Sequence, residues 1–185
     1  MKRYFNKAVV IYIIKFLGAF VFLFYGTEAL IGITAPGGYY SAFIDKYFNY
    51  VDLLRSSLLN ATKFLLSLFG EHAVLENKNV LRSSNIAAVR IVYSCLGYGV
   101  MSFWCAFIFA NKGSFKKKVF WMLGGLIVIW MINVVRLTLL MQSIQYKWRS
   151  FLGWNHHTWF NICAYIVIFI MIYIYDRSSR TEHIQ

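Results

Sequence analysis

"FIDKYFNYVDLLRSSLLNATKFLLSLFG", residues 43–70, decides the fold, because it can be read either as a membrane span or as a helix lying on a surface. It carries Asp45, Lys46, Asp52, Arg55 and Lys63, with apolar residues between them at helical spacing. Five charges are too many for a span. Residues 43–69 therefore read as an amphipathic helix in the plane of an interface, its apolar side toward lipid or protein.

The flanking charges test that choice. Four other runs approach the roughly 20 apolar residues that a bilayer core requires: residues 8–33, 94–111, 119–141 and 158–175. Lys2, Arg3 and Lys7 precede the first, "NKGSFKKK" separates the second from the third, and Arg177 and Arg180 follow the last. Lys and Arg accumulate in cytoplasmic segments. If residues 43–69 lie along the outer surface, all three clusters fall on the cytoplasmic side; if they spanned, "KGSFKKK" would face outward. The expected fold class is thus an all-α integral membrane protein of the cell (plasma or inner) membrane. It is a single membrane domain, residues 1–185, with about four transmembrane helices, the interfacial helix and both termini cytoplasmic. The outer loop, residues 70–94, contains "VLENKNVL", whose polar centre and apolar flanks predict a short hairpin. Trp148, Trp154 and Trp159 read as an aromatic belt at the outer end of the last span, and Trp121 marks an inner boundary.

Composition agrees with a membrane class. The chain has 185 residues, 59% of them hydrophobic, and a single proline. Its net charge of +12 sits in short clusters between apolar runs rather than on a helix face or a tail, which argues for membrane lipid and against nucleic acid as a partner. The first apolar run is longer than a signal-peptide core and no small-residue cleavage site follows it, so it reads as a retained anchor. Three cysteines make no disulfide framework. Cys105 and Cys163 lie inside apolar runs as packing residues.

Cys95 is different. In "IVYSCLGYGVMSFWCAFIFA", Ile91 to Ala110, it opens the second span from outside, while Arg136 lies near the outer end of the third in "WMINVVRLTLL" and His156 and His157 precede the fourth in "GWNHHTWFN". The topology brings them to one level. An arginine within a span costs about 2.5–3.5 kcal/mol or more and faces protein or water rather than lipid. Asn133, three residues earlier, shares its helix face and is a candidate for orienting substrate or Arg136. A guanidinium and a helix N-terminus both favour the thiolate form of a cysteine, and Gly97 and Gly99 allow a backbone to approach closely. Two adjacent histidines cannot point the same way on a helix. A zinc site would need further ligands, for which only Cys95 and His72 are at hand, so no metal is expected. A Cys–His pair for nucleophilic catalysis fits better, and the missing Cys-x-x-Cys pair argues against a thiol redox protein.

"SCLG", "NVVR" and "HHTWFN", in this order across roughly Ser84 to Tyr175, resemble the exosortase/archaeosortase family of membrane-embedded cysteine transpeptidases, in a short form reduced to the catalytic core. The family pattern is a cysteine before a small residue and glycine, then Asn-x-x-Arg near the outer end of the next span, then a histidine opening the last. This chain departs from it at Leu96, where the family has a small residue, and at Asn161, where a glycine often follows the histidine by four residues. The resemblance implies that Cys95 is the nucleophile, Arg136 the arginine and His157 the histidine, with His156 the alternative. It also implies the substrates: exported proteins ending in a short motif, a transmembrane helix and a basic tail, cleaved at the outer face without any cofactor. The competing expectation is a non-enzymatic assembly or export subunit in which Arg136 binds lipid or a partner and Cys95 only packs.

Overall fold

The computed structural model describes residues 7–35, 39–83, 88–147 and 156–181, without the side chains of 156–161 and 179–181. Lys2, Arg3, Trp148, Trp154 and the side chains of His156, His157, Trp159 and Arg180 lie outside the described residues. The chain is mostly helical: α1 (Lys7–Thr34), α2 (Ala42–Phe48), α3 (Tyr50–Leu68), α4 (Tyr98–Ala110), α5 (Phe115–Gln145) and α6 (His156–Thr181). Between α3 and α4 run β1 (Ala73–Asn77), β2 (Val80–Ser83) and β3 (Ala88–Arg90). Among the described residues, α1 and α5 are long and apolar enough to cross a membrane.

Where one helix is expected over 43–69, two form. Asn49 makes the corner: its side-chain amide donates to the Asp45 carboxylate at 2.6 Å, and its side-chain oxygen accepts the Asp52 amide at 2.9 Å. That second bond satisfies a donor left open at the start of α3, which is how an asparagine begins a helix. The expected hairpin is present. "VLENKNVL" pairs β1 with β2, antiparallel around Lys78 and Asn79, and a third strand that the sequence pattern did not suggest, β3, adds to the other edge of β2.

The elements group into two compact bodies. The first contains residues up to Asp52 and Gly97–Ile127; the second contains Leu53–Leu96 and the residues from Val128 onward. In the first, α1 packs along α4. Tyr12, Phe16, Phe20 and Phe24 recur every four residues and form a stack with ring centroids 5.7–6.5 Å apart. Phe16 meets Phe103 edge-on at 5.5 Å, Phe24 lies 5.6 Å from Tyr98, and the Tyr98 hydroxyl donates to Glu28. Gly99 permits this approach, since a Cβ there would stand 3.3 Å from the Phe24 ring. At the other end of α4, Lys118 donates to the Phe109 carbonyl at 3.0 Å, placing a cation at a helix C-terminus.

The second body has its own core. One face of α3 is buried at Leu58, Leu59, Thr62 and Leu66, the spacing of an amphipathic helix. The sheet presents Leu81 and Val89, and α5 presents Leu137 and Met141, around one small apolar cavity that Leu59 also lines. The apolar face of α3 thus meets protein, and full burial of each such leucine is worth roughly 1.5–3 kcal/mol.

Helix α5 carries two adjacent glycines in opposite circumstances. Trp104 is fully buried, its indole N–H donates to the Trp121 carbonyl at 3.0 Å, and its ring fills the place where a Gly125 side chain would begin. Nothing lies within 4 Å of that place at Gly124. Gly125→Ala is expected to lower stability by about 1–3 kcal/mol through overpacking, whereas Gly124→Ala should be neutral or raise it by up to about 1 kcal/mol. Thermal unfolding of the two purified variants checks this, and equal behaviour would refute the contact.

Candidate active site

Gly97 determines how Cys95 is presented. With φ of +77° it occupies the left-handed region that a side chain disfavours, and it separates α4 from the residues before it. The chain ahead of it closes into one 3₁₀ turn, Tyr93–Cys95, in which the Cys95 amide donates to Val92 at 2.9 Å and the Leu96 amide to Tyr93 at 3.1 Å. Cys95 is therefore not on the first turn of α4, as a helix beginning at residue 94 would have it. It sits on a separate turn, its thiol free and partly buried.

Asn133 reaches that turn from α5. The residue is 7% exposed, and its side-chain amide donates to the carbonyl of Leu96, itself fully buried, at 3.3 Å. This bond spans 37 residues of chain and fixes the residue after Cys95 against α5. Arg136, partly buried, follows Asn133 by three residues and so lies about one helical turn farther along that face. His156 and His157 form the first residues of α6, within the same compact body, and their side chains are not described. Cys95, Asn133 and Arg136 are thus brought into one body through an observed bond.

The other cysteines are divided by burial. Cys105 is partly buried on α4, whereas Cys163 is exposed on α6 rather than packed. Among the described residues no group of three or more His, Cys, Asp or Glu side chains converges in a way that could hold a metal ion.

Two residues that the sequence reading did not single out belong to this body. Arg55 projects from α3 and places its guanidinium 4.6 Å from the centroid of the Tyr93 ring, at the start of the cysteine turn. Its register was the available signal, because Arg55 falls between Val51 and Leu58 in the buried stripe of α3. Glu71 is buried beyond the end of α3, 6% exposed, beside Tyr146 at the end of α5. The nearby carboxylate of Glu71, through its negative charge, holds the Tyr146 phenol above its usual pKa. A second link between α3 and α5 is the Trp130 indole N–H, which donates to the Ser57 hydroxyl at 3.0 Å.

Asn133→Ala removes the donor and leaves the Leu96 carbonyl unpaired in a buried setting, at an expected loss of about 1–3 kcal/mol in thermal unfolding of the purified protein. Unchanged stability would mean that the bond does not hold the turn. Compared with family models, with curated proteins and with solved structures, the chain matches none.

Proposed function

We propose that the protein is a membrane-embedded cysteine protease or transpeptidase that cleaves C-terminal sorting signals of exported proteins at the outer face of a cell membrane. The observation that carries this reading is the Asn133 bond to Leu96, which ties the Cys95 turn to the helix face that also bears Arg136. Those are the residues on which the resemblance to exosortases rests.

In the proposed topology α1, α4, α5 and α6 cross the membrane and α3 lies at the outer interface. The apolar stretch of α1 supports the first crossing, because none of its most hydrophobic 18-residue window is buried in protein, and Ile14, Leu17, Val21 and Phe22 face outward along it. A water-exposed surface of that size would be a liability. Leu53, Phe64 and Leu68 are exposed on α3 despite its buried stripe, which suits a helix lying against lipid on a second side. With 13 residues, α4 rises about 20 Å against a hydrocarbon core of about 30 Å.

The chemistry follows from the groups. The Cys95 thiolate sulfur attacks the scissile carbonyl carbon, and the carbonyl electron pair moves to oxygen, giving a tetrahedral oxyanion. Arg136 stabilises that charge, an interaction that gains strength where water is sparse. As the carbon–nitrogen bond breaks, His157, or His156 in its place, protonates the departing amine and a thioester remains on Cys95. The same histidine then takes a proton from water or an acceptor amine, which attacks the thioester and releases the thiolate. Asn133 holds the nucleophile's turn, and none of these steps calls on a cofactor.

Cys95→Ala and Arg136→Ala are each expected to abolish maturation, in cells, of a substrate ending in a short motif, an apolar helix and a basic tail, while both variants remain in the membrane. Cys105→Ala should process normally. Immunoblotting of precursor and product decides the matter, and wild-type maturation by the first two variants would leave the non-enzymatic reading in its place.

A further inference from the structure

The Cys95 turn is held from two sides, and only one of them belongs to the motif residues. Asn133 fixes its C-terminal side through the Leu96 carbonyl. On its N-terminal side the ring of Tyr93 lies under the Arg55 guanidinium, 4.6 Å from centroid to cation, within the range in which a ring face attracts a cation. Both Arg55 and Tyr93 are partly buried, where such an attraction is strengthened by the loss of water. The backbone transmits this restraint, because Tyr93 O accepts the Leu96 amide and Val92 O accepts the Cys95 amide. Movement of the Tyr93 ring therefore moves the residue that carries the thiol. Helix α3 is itself held to α5 by the bond from Trp130 to Ser57, two residues beyond Arg55, so the cation is mounted on a fixed element.

We propose that Arg55 is a positioning residue for Cys95: its guanidinium clamps the Tyr93 ring, and together with Asn133 it sets the direction in which the thiol points. The assignment rests on the reading of Cys95 as the nucleophile, but the clamp has a signature of its own. It also gives α3 a role in the site, where the amphipathic pattern alone assigned it only to the interface. Nothing in the clamp requires the tyrosine hydroxyl, and a lysine ammonium can occupy the ring face as well as a guanidinium.

The test is a nitroxide label on Cys95 of the full-length protein in lipid nanodiscs, in a Cys105→Ala, Cys163→Ala background, read by electron paramagnetic resonance. Arg55→Met and Tyr93→Leu are each expected to shorten the label's rotational correlation time at least about twofold. Arg55→Lys and Tyr93→Phe should stay near the parent, which a general loss of packing at either position would not allow. The double variant Arg55→Met, Tyr93→Leu should be no more mobile than either single one, because both remove the same contact. Unchanged mobility in Arg55→Met and Tyr93→Leu, or failure of the two conservative variants to retain the parent spectrum, overturns the clamp. Substrate maturation that survives Cys95→Ala overturns the enzyme reading instead, and the label measurement distinguishes the two failures.

Discussion

A buried side-chain amide donating to a buried backbone carbonyl, Asn133 to Leu96, joins two parts of the chain that local structure alone would leave independent. The carbonyl of Leu96 lies between a 3₁₀ turn and the left-handed Gly97, at an irregular junction where regular helix bonding gives way. A buried acceptor without a partner is costly, so the position of α5 and the path of the cysteine turn constrain one another. Trp130 on Ser57 and Arg55 over Tyr93 repeat the same logic from α3. In the proposed mechanism this rigidity is what a nucleophile needs, since attack on a carbonyl depends on holding the reacting atoms in register.

Polar anchors of this kind stand out in a chain so apolar. Hydrophobic burial packs α3, the sheet and α5 together, but it is non-directional and would tolerate neighbouring registers. Asn133, Trp130 and Arg55 supply the directional contacts that select one arrangement. The first body uses shape instead: the ladder of rings on α1 meets Phe103 and Tyr98 of α4, and Trp104 seats its indole on Gly125. In the proposed membrane setting, where the hydrophobic drive between helices is lost, close packing and a few hydrogen bonds are what would remain to hold helices together.

Much of this was legible in the sequence because it depends on local pattern. Long apolar runs gave α1 and α5, the polar centre of "VLENKNVL" gave the β1–β2 hairpin, and the spacing of charges along residues 43–69 gave an amphipathic helix. What was not legible depends on single side chains meeting distant partners. Asn49 splits that helix because its amide and carbonyl serve Asp45 and Asp52, a choice invisible to periodicity. Gly97 shortens α4 and moves Cys95 onto its own turn, whereas sequence alone marks the glycine only as a site of close approach. Helix spacing pairs Asn133 with Arg136 or substrate, whereas its observed bond is to the backbone beside the cysteine. As one of five charges Arg55 reads as part of the polar face of an amphipathic helix, yet its register with Val51 and Leu58 places it beside the buried stripe.

If Cys95 carries the substrate as a thioester, as proposed, peptide-mapping mass spectrometry of the protein isolated, under acid quench, from cells making a tail-signal substrate detects it most directly. The proposed mechanism predicts an adduct on Cys95 whose mass matches a substrate fragment ending at the cleaved bond, released by neutral hydroxylamine and absent from Cys105 and Cys163. Substrate that is cleaved while Cys95 remains unmodified at every time point, or an adduct that maps to another residue, would contradict it.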